Sequence, residues 1–345
     1  MADVSTFDKR LRVEDITLTG MTFHDVNEAP FSVHGVFYED DRFRRIPRAV
    51  AVQVSDGVAY LNDNTAGGRV RFRTDSRKVA IYAQLCAVGK MPHFALTGSI
   101  GFDVYADGRY MGTAIPPFEV VDRFEAMVHL DGKSHEVQIN FPLYSGVTQL
   151  FIGVEEEASL SAAQPYKDLP VVFYGSSITQ GGCASRAGNC YQAILSRELG
   201  FDYINLGFSG SAKAEQPMVE YIASLPMRAF VLDYDHNAPD EAHLQATHEP
   251  FYKAVRAAHP DIPIVMMTRP VYRLNKEERR RLAIVRATYE NAVAAGDRNV
   301  YFIDGRQLVG KAFAELSTVD GCHPNDIGFY AMAKRVRKTL EPLLK

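Results

Sequence analysis

Five short apolar runs, VVFY, YINL, AFVLD, PIVMM and VYFID, recur between Val171 and Asp304 at roughly thirty-residue intervals, with helical patterns between them. Runs of this kind suit strands buried on both faces, and strand alternating with helix demands a parallel sheet covered by helices. One helix is expected from Cys190 to Leu199, with Asn189 as N-cap and Gly200 just past its end; Pro217 suits the first turn of another. Longer helical patterns cover 275–295 and 325–343. Ligands of such a sheet bind beyond the carboxyl ends of its strands.

Upstream the rhythm differs. RAVAVQV, GRVRFRT, KVAIYAQL, GFDVYA, HEVQIN and TQLFIGV read as strands with one face buried, punctuated by the pairs Asp56-Gly57, Asp107-Gly108 and Asp131-Gly132 that tight hairpins favour. Repeated hairpins without intervening helices imply an antiparallel β-sandwich or jelly roll. A chain of 345 residues exceeds the usual single core. The expected organisation is therefore a β-sandwich domain over 1–160, a linker over 161–169 and an α/β domain over 170–345.

The stretch VVFYGSSITQGG, residues 171–182, ends the first parallel strand on a glycine and two serines. It can present a nucleophile, cradle a phosphate or turn the chain. No G-x-x-x-x-G-K-[ST] or G-x-G-x-x-G pattern supports the phosphate reading. A serine hydroxyl needs a base held by a third group. The segment VDGCHPNDIGF supplies Asp320 and His323 three residues apart, so that one loop can present both, although a helix-capping loop would use the same residues. Two further strand ends offer donors for an oxyanion, Gly210 in NLGFSGS and Asn237 in LDYDHNAPD, each of which is also ordinary turn chemistry.

These blocks resemble the SGNH (GDSL-type) hydrolases, whose name records Ser, Gly, Asn and His in that order. The resemblance covers about 170–345 and implies a flavodoxin-like three-layer parallel sheet. It further implies Ser177 as nucleophile, Gly210 and Asn237 as oxyanion donors beside the Ser177 N–H, and Asp320 with His323 as the acid–base pair. Two departures stand out. Ser176 occupies the acid position of Gly-Asp-Ser, and DYDHN replaces Gly-x-Asn-Asp, with Asp235 at the glycine and Ala238 at the acid. His236 lacks the Asp-x-x-His setting and is read as a neighbour of the site. The segment GSIGFDVYADGRY is similar to the Gly-x-Asp-Leu-Tyr segment of the β-domain that precedes some bacterial SGNH enzymes, and carbohydrate esterases of this superfamily often carry a jelly roll there.

The resulting expectation is a serine ester hydrolase that works without a metal or organic cofactor and removes a short acyl group, acetyl by preference, from a carbohydrate. Small polar loops at the site favour that substrate over long acyl chains, whereas the lack of tryptophan weighs against a sugar-stacking platform. The alternatives are a short-chain or lysophospholipase-like acylhydrolase and, in another class, an inactive glycan-binding protein. A net charge of -4 without a long basic block argues against nucleic acid as a partner, and no run reaches the length of a membrane span. The opening MADVSTFDKRLRVEDITL lacks a signal-peptide core, so the chain as given reads as cytoplasmic; one trimmed of its signal would read the same. Cys183 and Cys322 are expected to flank one cleft, as a reduced pair in preference to a disulfide.

Overall fold

The computed structural model describes residues 20–345; the opening stretch read for a signal, and the first nineteen residues of the expected β-domain, lie outside it. The five apolar runs form one parallel sheet in the order Tyr203–Gly207, Val171–Gly175, Ala229–Asp233, Ile264–Met267, Val300–Ile303, the doubly wound arrangement in which the second strand lies outside the first. Alternate side chains enter different cores. Val172, Tyr174, Phe230 and Leu232 face one helical layer, whereas Val171, Phe173, Val231 and Val265 face the other.

The register fixes where the loops emerge. Gly175 lies level with Gly207 on one side and Asp233 on the other, so the segments after all three strands leave the sheet together, at its topological switch point. A short helix, Ser177–Gln180, turns directly over these ends. It can sit there because neither glycine has a side chain: a Cβ on Gly175 would overlap the Asp233 carbonyl oxygen and the Thr179 hydroxyl, and one on Gly207 would overlap the backbone of Thr179 and Gln180.

Among the described residues, the first half of the chain contains a two-stranded antiparallel sheet, Phe37–Glu39 with Arg42–Arg44, and two large ones. Strands Met21–Asp25, Gly146–Glu155, Lys78–Ala87 and Arg123–His129 form one, and Arg69–Thr74, His135–Asn140, Phe102–Ala106 and Arg109–Ala114 carry the other. Val70, Phe72, Val104 and Ile139 of the second sheet share a core with Ile81, Ala83, Val128 and Ile152 of the first. Asp107-Gly108 makes the expected hairpin, with both residues at positive φ. Asp131-Gly132 instead crosses between sheets, because Arg123–His129 pairs with Lys78–Ala87 while His135–Asn140 pairs with Arg69–Thr74.

RAVAVQV is a helix, Arg48–Val54, followed at once by a second, Asp56–Leu61, whose N-cap Ser55 accepts a hydrogen bond from the Val58 N–H. Ala51, Val54, Val58 and Leu61 recur at helical spacing and pack into the parallel-sheet core beside Met218 and Ile222. The apparent strand alternation arose from small and branched residues, of which Val52 is exposed. The helix expected from Cys190 spans Tyr191–Leu199, with Cys190, not Asn189, at its N-cap.

Polar contacts join the two halves closely. Arg69 pairs with Asp202 and lies over the Tyr203 ring, and Gln180 donates to Asn64 Oδ1 and the Leu143 carbonyl. Asp103, in GFDVY, is fully buried; it accepts hydrogen bonds from Asn140 Nδ2 and the Gly188 N–H at 2.8 Å each and from the Tyr105 hydroxyl at 3.3 Å. Asp103→Ala would strand these buried donors and is expected to lower the unfolding free energy by about 3 kcal/mol, measured by denaturant or thermal unfolding. A loss below about 1 kcal/mol would show that Asp103 does not hold the two halves together.

Candidate active site

Ser177 is the first residue of its helix, where a backbone N–H has no intrahelical acceptor. The preceding Ser176 supplies the cap, its Oγ accepting from the Ile178 N–H at 3.2 Å. Serine thus does here what the acid of Gly-Asp-Ser can do as an N-cap. Gly181, at φ 105°, ends the helix in the left-handed region.

His323 arrives from the loop before the C-terminal helix Asp326–Leu343. Its Nε2 lies 3.0 Å from Ser177 Oγ, and its Nδ1 lies 2.7 Å from Asp320 Oδ2. The other Asp320 oxygen accepts from the backbone N–H groups of Cys322 and His323 at 2.9 and 2.7 Å. Partial burial opposes ionisation of Asp320, but these three donors outweigh it and hold the carboxyl at about 2. A carboxylate on Nδ1 leaves Nε2 as the nitrogen facing the hydroxyl. The Asp-x-x-His segment is also tied to the loop after Ile264–Met267, the Arg269 guanidinium donating to the Gly321 carbonyl at 3.3 Å.

Gly210 sits at φ 65° on an exposed turn, and its N–H donates to no acceptor among the described residues. The neighbouring Ser209 N–H donates to Gln180 Oε1 at 3.0 Å, which ties this turn to the Ser177 helix. Asn237 is joined to the same turn, its Nδ2 donating to the Phe208 carbonyl at 3.0 Å; one amide hydrogen remains for another acceptor. The blocks carrying Ser177, Gly210, Asn237, Asp320 and His323 therefore form one connected site. His236 stands apart from the hydrogen-bonded chain, its Nδ1 3.6 Å from Asp235 Oδ1. Asp235 is engaged elsewhere, by the Arg269 N–H at 3.2 Å.

Three residues from the first half of the chain, none of them foreseen from sequence, reach the site. The Tyr144 hydroxyl approaches the Ser177 carbonyl at 3.4 Å, Phe94 packs edge-on against Tyr144, and the ring of His93 lies 5.9 Å from that of His323. No local pattern in GKMPHF or FPLYSG signals this, because the contacts exist only once the domains meet. Tyr105 faces a different crevice, beside Arg197, and its hydroxyl is spent on Asp103. All four cysteines are free; Cys183 is buried, and Cys322 is half-buried.

Beneath the site, Asp233 is fully buried. One carboxyl oxygen accepts from the Thr179 hydroxyl at 3.2 Å, and the other has no partner. Burial first, and the charge of Asp235 second, raise it to about 8. The folded protein thus retains a proton that the unfolded chain releases near pH 4, so this group's contribution to stability falls as pH rises from about 4 to about 8. Asp233→Asn should remove that slope. Its melting temperature relative to the parent is expected to climb through this interval and level off above about pH 8; a difference independent of pH would refute the protonated carboxyl.

Known proteins share this organisation. Residues 168–341, half of the chain, match the GDSL-like lipase/acylhydrolase family, and residues 21–160 match the N-terminal domain of SGNH-hydrolase-type esterases. A structure described as a GDSL-like lipase from Bacteroides ovatus is 29% identical, with a TM-score of 0.84, over 94% of this chain and 98% of that one. A salicylyl-acyltransferase from a tetracycline biosynthetic pathway has a TM-score of 0.77 at 20% identity over the same shares. An acetyl xylan esterase from the rumen bacterium Butyrivibrio proteoclasticus has a TM-score of 0.61 at 12% identity, over 94% of this chain and 99% of that one. No curated protein sequence matches. With its two family matches covering both halves of the chain in order, this protein belongs to the GDSL-like lipase/acylhydrolase family and is an ester hydrolase.

Proposed function

We propose that Ser177 is the nucleophile of a serine esterase that removes a short acyl group, acetyl by preference, from a carbohydrate. The observation that carries the mechanism is the unbroken chain from Ser177 Oγ through His323 to Asp320, at 3.0 and 2.7 Å. Oγ attacks the acyl carbonyl carbon while its proton passes to His323 Nε2. The carbonyl oxygen becomes an oxyanion, received by the N–H groups of Ser177 and Gly210 and the remaining amide hydrogen of Asn237. His323 then gives its proton to the departing alcohol oxygen. Water attacks the acyl-enzyme, again losing its proton to His323, and the acid leaves as Ser177 recovers its hydrogen. Asp320 holds the imidazole in the required tautomer throughout.

The substrate reading rests on the surroundings. Ser177 is only 5% exposed, and Gly182 lies close to the Tyr144 hydroxyl, the Ser177 carbonyl and the His323 ring, a close-packed setting that favours a short acyl group. The loops around the site are small and polar, which suits a hydroxylated leaving group. The likeness to an acetyl xylan esterase agrees with this, as an analogy of fold. The likeness to an acyltransferase supports a second reading, in which an alcohol in place of water accepts the acyl group from Ser177.

Ser177→Ala and His323→Ala should each reduce 4-nitrophenyl acetate hydrolysis by about four orders of magnitude or more. Both should melt near the parent, since one loses a small hydroxyl at a helix start and the other a half-buried loop side chain, and neither leaves a large core cavity. Asn237→Ala should cost about a hundredfold in kcat. A variant with parental turnover would remove its residue from the mechanism.

Acetate release from acetylated xylo-oligosaccharides should exceed hydrolysis of octanoyl esters, with Ser177→Ala as the blank. A preference for octanoyl would overturn the carbohydrate reading and leave the serine mechanism standing. Product analysis with competing alcohols separates hydrolysis from transfer.

A further inference from the structure

Cys183 is one of the few residues other than glycine held at positive φ, at 74°. For a residue with a Cβ this conformation is unfavourable and persists only where the surroundings enforce it. The enforcing contacts lie next along the chain. The Thr97 hydroxyl donates to the Ser185 carbonyl at 2.5 Å, and Gly98 fits so closely against Ala184 that a Cβ there would overlap its carbonyl oxygen. The same segment of the first domain carries His93, which is anchored by buried Phe94. A single interface therefore fixes both His93 and Cys183.

Neither residue forms a side-chain hydrogen bond to another described residue, and the proposed mechanism uses neither. One ligand atom from each of His93, Cys183 and His323 lies within 4.8 Å of the others. Tetrahedral zinc holds nitrogen at about 2.0–2.1 Å and sulfur at about 2.3 Å, which sets two nitrogens and a sulfur roughly 3.3–3.6 Å apart. Closing the cluster by about an ångström would meet that geometry, a movement within reach of the exposed His93 side chain. Of the two His323 nitrogens, Nδ1 is held by Asp320, which leaves Nε2 for the metal. A carboxylate behind a ligating imidazole is the arrangement that orients histidine for zinc.

We infer that His93, Cys183 and His323 form an inhibitory site for a thiophilic divalent cation of the zinc class. The cation takes Nε2, displaces its hydrogen bond to Ser177 and silences the base. Cys183 binds as thiolate, and its proton passes to solvent. A fourth position stays open to water. Removing the metal restores the Ser177–His323 pair, so the inhibition is reversible. The Asp320 contact that prepares His323 for proton transfer equally prepares it for the metal. The inhibitory effect rests on the role proposed above for His323, whereas binding itself does not.

The experiment separates these two. Cobalt(II), added to the full chain carrying Ser177→Ala, should produce the near-ultraviolet thiolate-to-cobalt absorption band. That band should vanish on adding Cys183→Ser and persist with Cys322→Ser. Turnover is not needed, so the test stands even if Ser177 proves not to be the nucleophile. In the Ser177 protein, zinc should suppress 4-nitrophenyl acetate hydrolysis and a chelator should restore it. The ratio of rates with and without zinc is compared for each variant, so that changes in basal rate drop out. His93→Ala and His93→Gln, both on an exposed position, should need at least about tenfold more zinc for equal suppression. A cobalt band that survives Cys183→Ser, or zinc suppression unchanged in both His93 variants, would overturn the site.

Discussion

Two glycines at neighbouring strand ends, Gly175 and Gly207, provide the space in which the Ser177 helix sits. Had either carried a Cβ, the helix would have to lift from the sheet, and Ser177 would leave the level at which His323 meets it. The parallel register does the rest, bringing the ends of three strands side by side so that residues distant in sequence need only short turns to converge. What sequence distance separates, 146 residues between Ser177 and His323, the doubly wound topology joins within one hydrogen bond.

The first domain has more than an accessory place in this design. It buttresses the turn after Gly207 through Arg45, whose guanidinium donates to the Gly207 and Leu61 carbonyls and lies over the Phe208 ring at 4.3 Å. Burial lowers this arginine to about 9, and no carboxylate pairs with it among the described residues. Backbone carbonyls and an aromatic face replace the usual counter-ion, which leaves the cation's field beside the turn that carries Gly210. Asp103 and Asn64 make equivalent connections to Gly188 and Gln180. Those contacts also explain GFDVY as structure: its aspartate receives the other domain's backbone and its tyrosine supports the aspartate.

Much of this was legible in the sequence, for identifiable reasons. Uninterrupted apolar strands and capped helices are local signals, and the five parallel strands fall where the runs place them. The meeting of Ser177 with Asp320 and His323 was foreshadowed by two short chemical patterns, one at a strand end and one in the loop before the C-terminal helix. The helices over 48–61 were not, since in a short stretch alternation of alanine and valine imitates a strand, and only Ala51, Val54, Val58 and Leu61 taken together reveal the helical spacing. Asp131-Gly132 misled because the same turn residues serve a crossover as well as a hairpin. The cleft residues His93 and Tyr144 were hidden because no neighbouring residue records a contact made across a domain interface.

Those two helices also bear on how the chain is made. Ile46, Ala51, Val54, Val58 and Leu61 belong to a core completed by Met218, Ile222 and the central parallel strands, all synthesised much later. At about 5–20 residues per second, a ribosome needs roughly 10 s to half a minute to travel from Leu61 to Ile222. Through that interval the nascent first domain presents an apolar face with nothing to cover it. Its early exposure is a binding site for chaperones and a hazard for aggregation, so the arginine-anchored union that steadies the finished site carries a cost borne during birth on the ribosome.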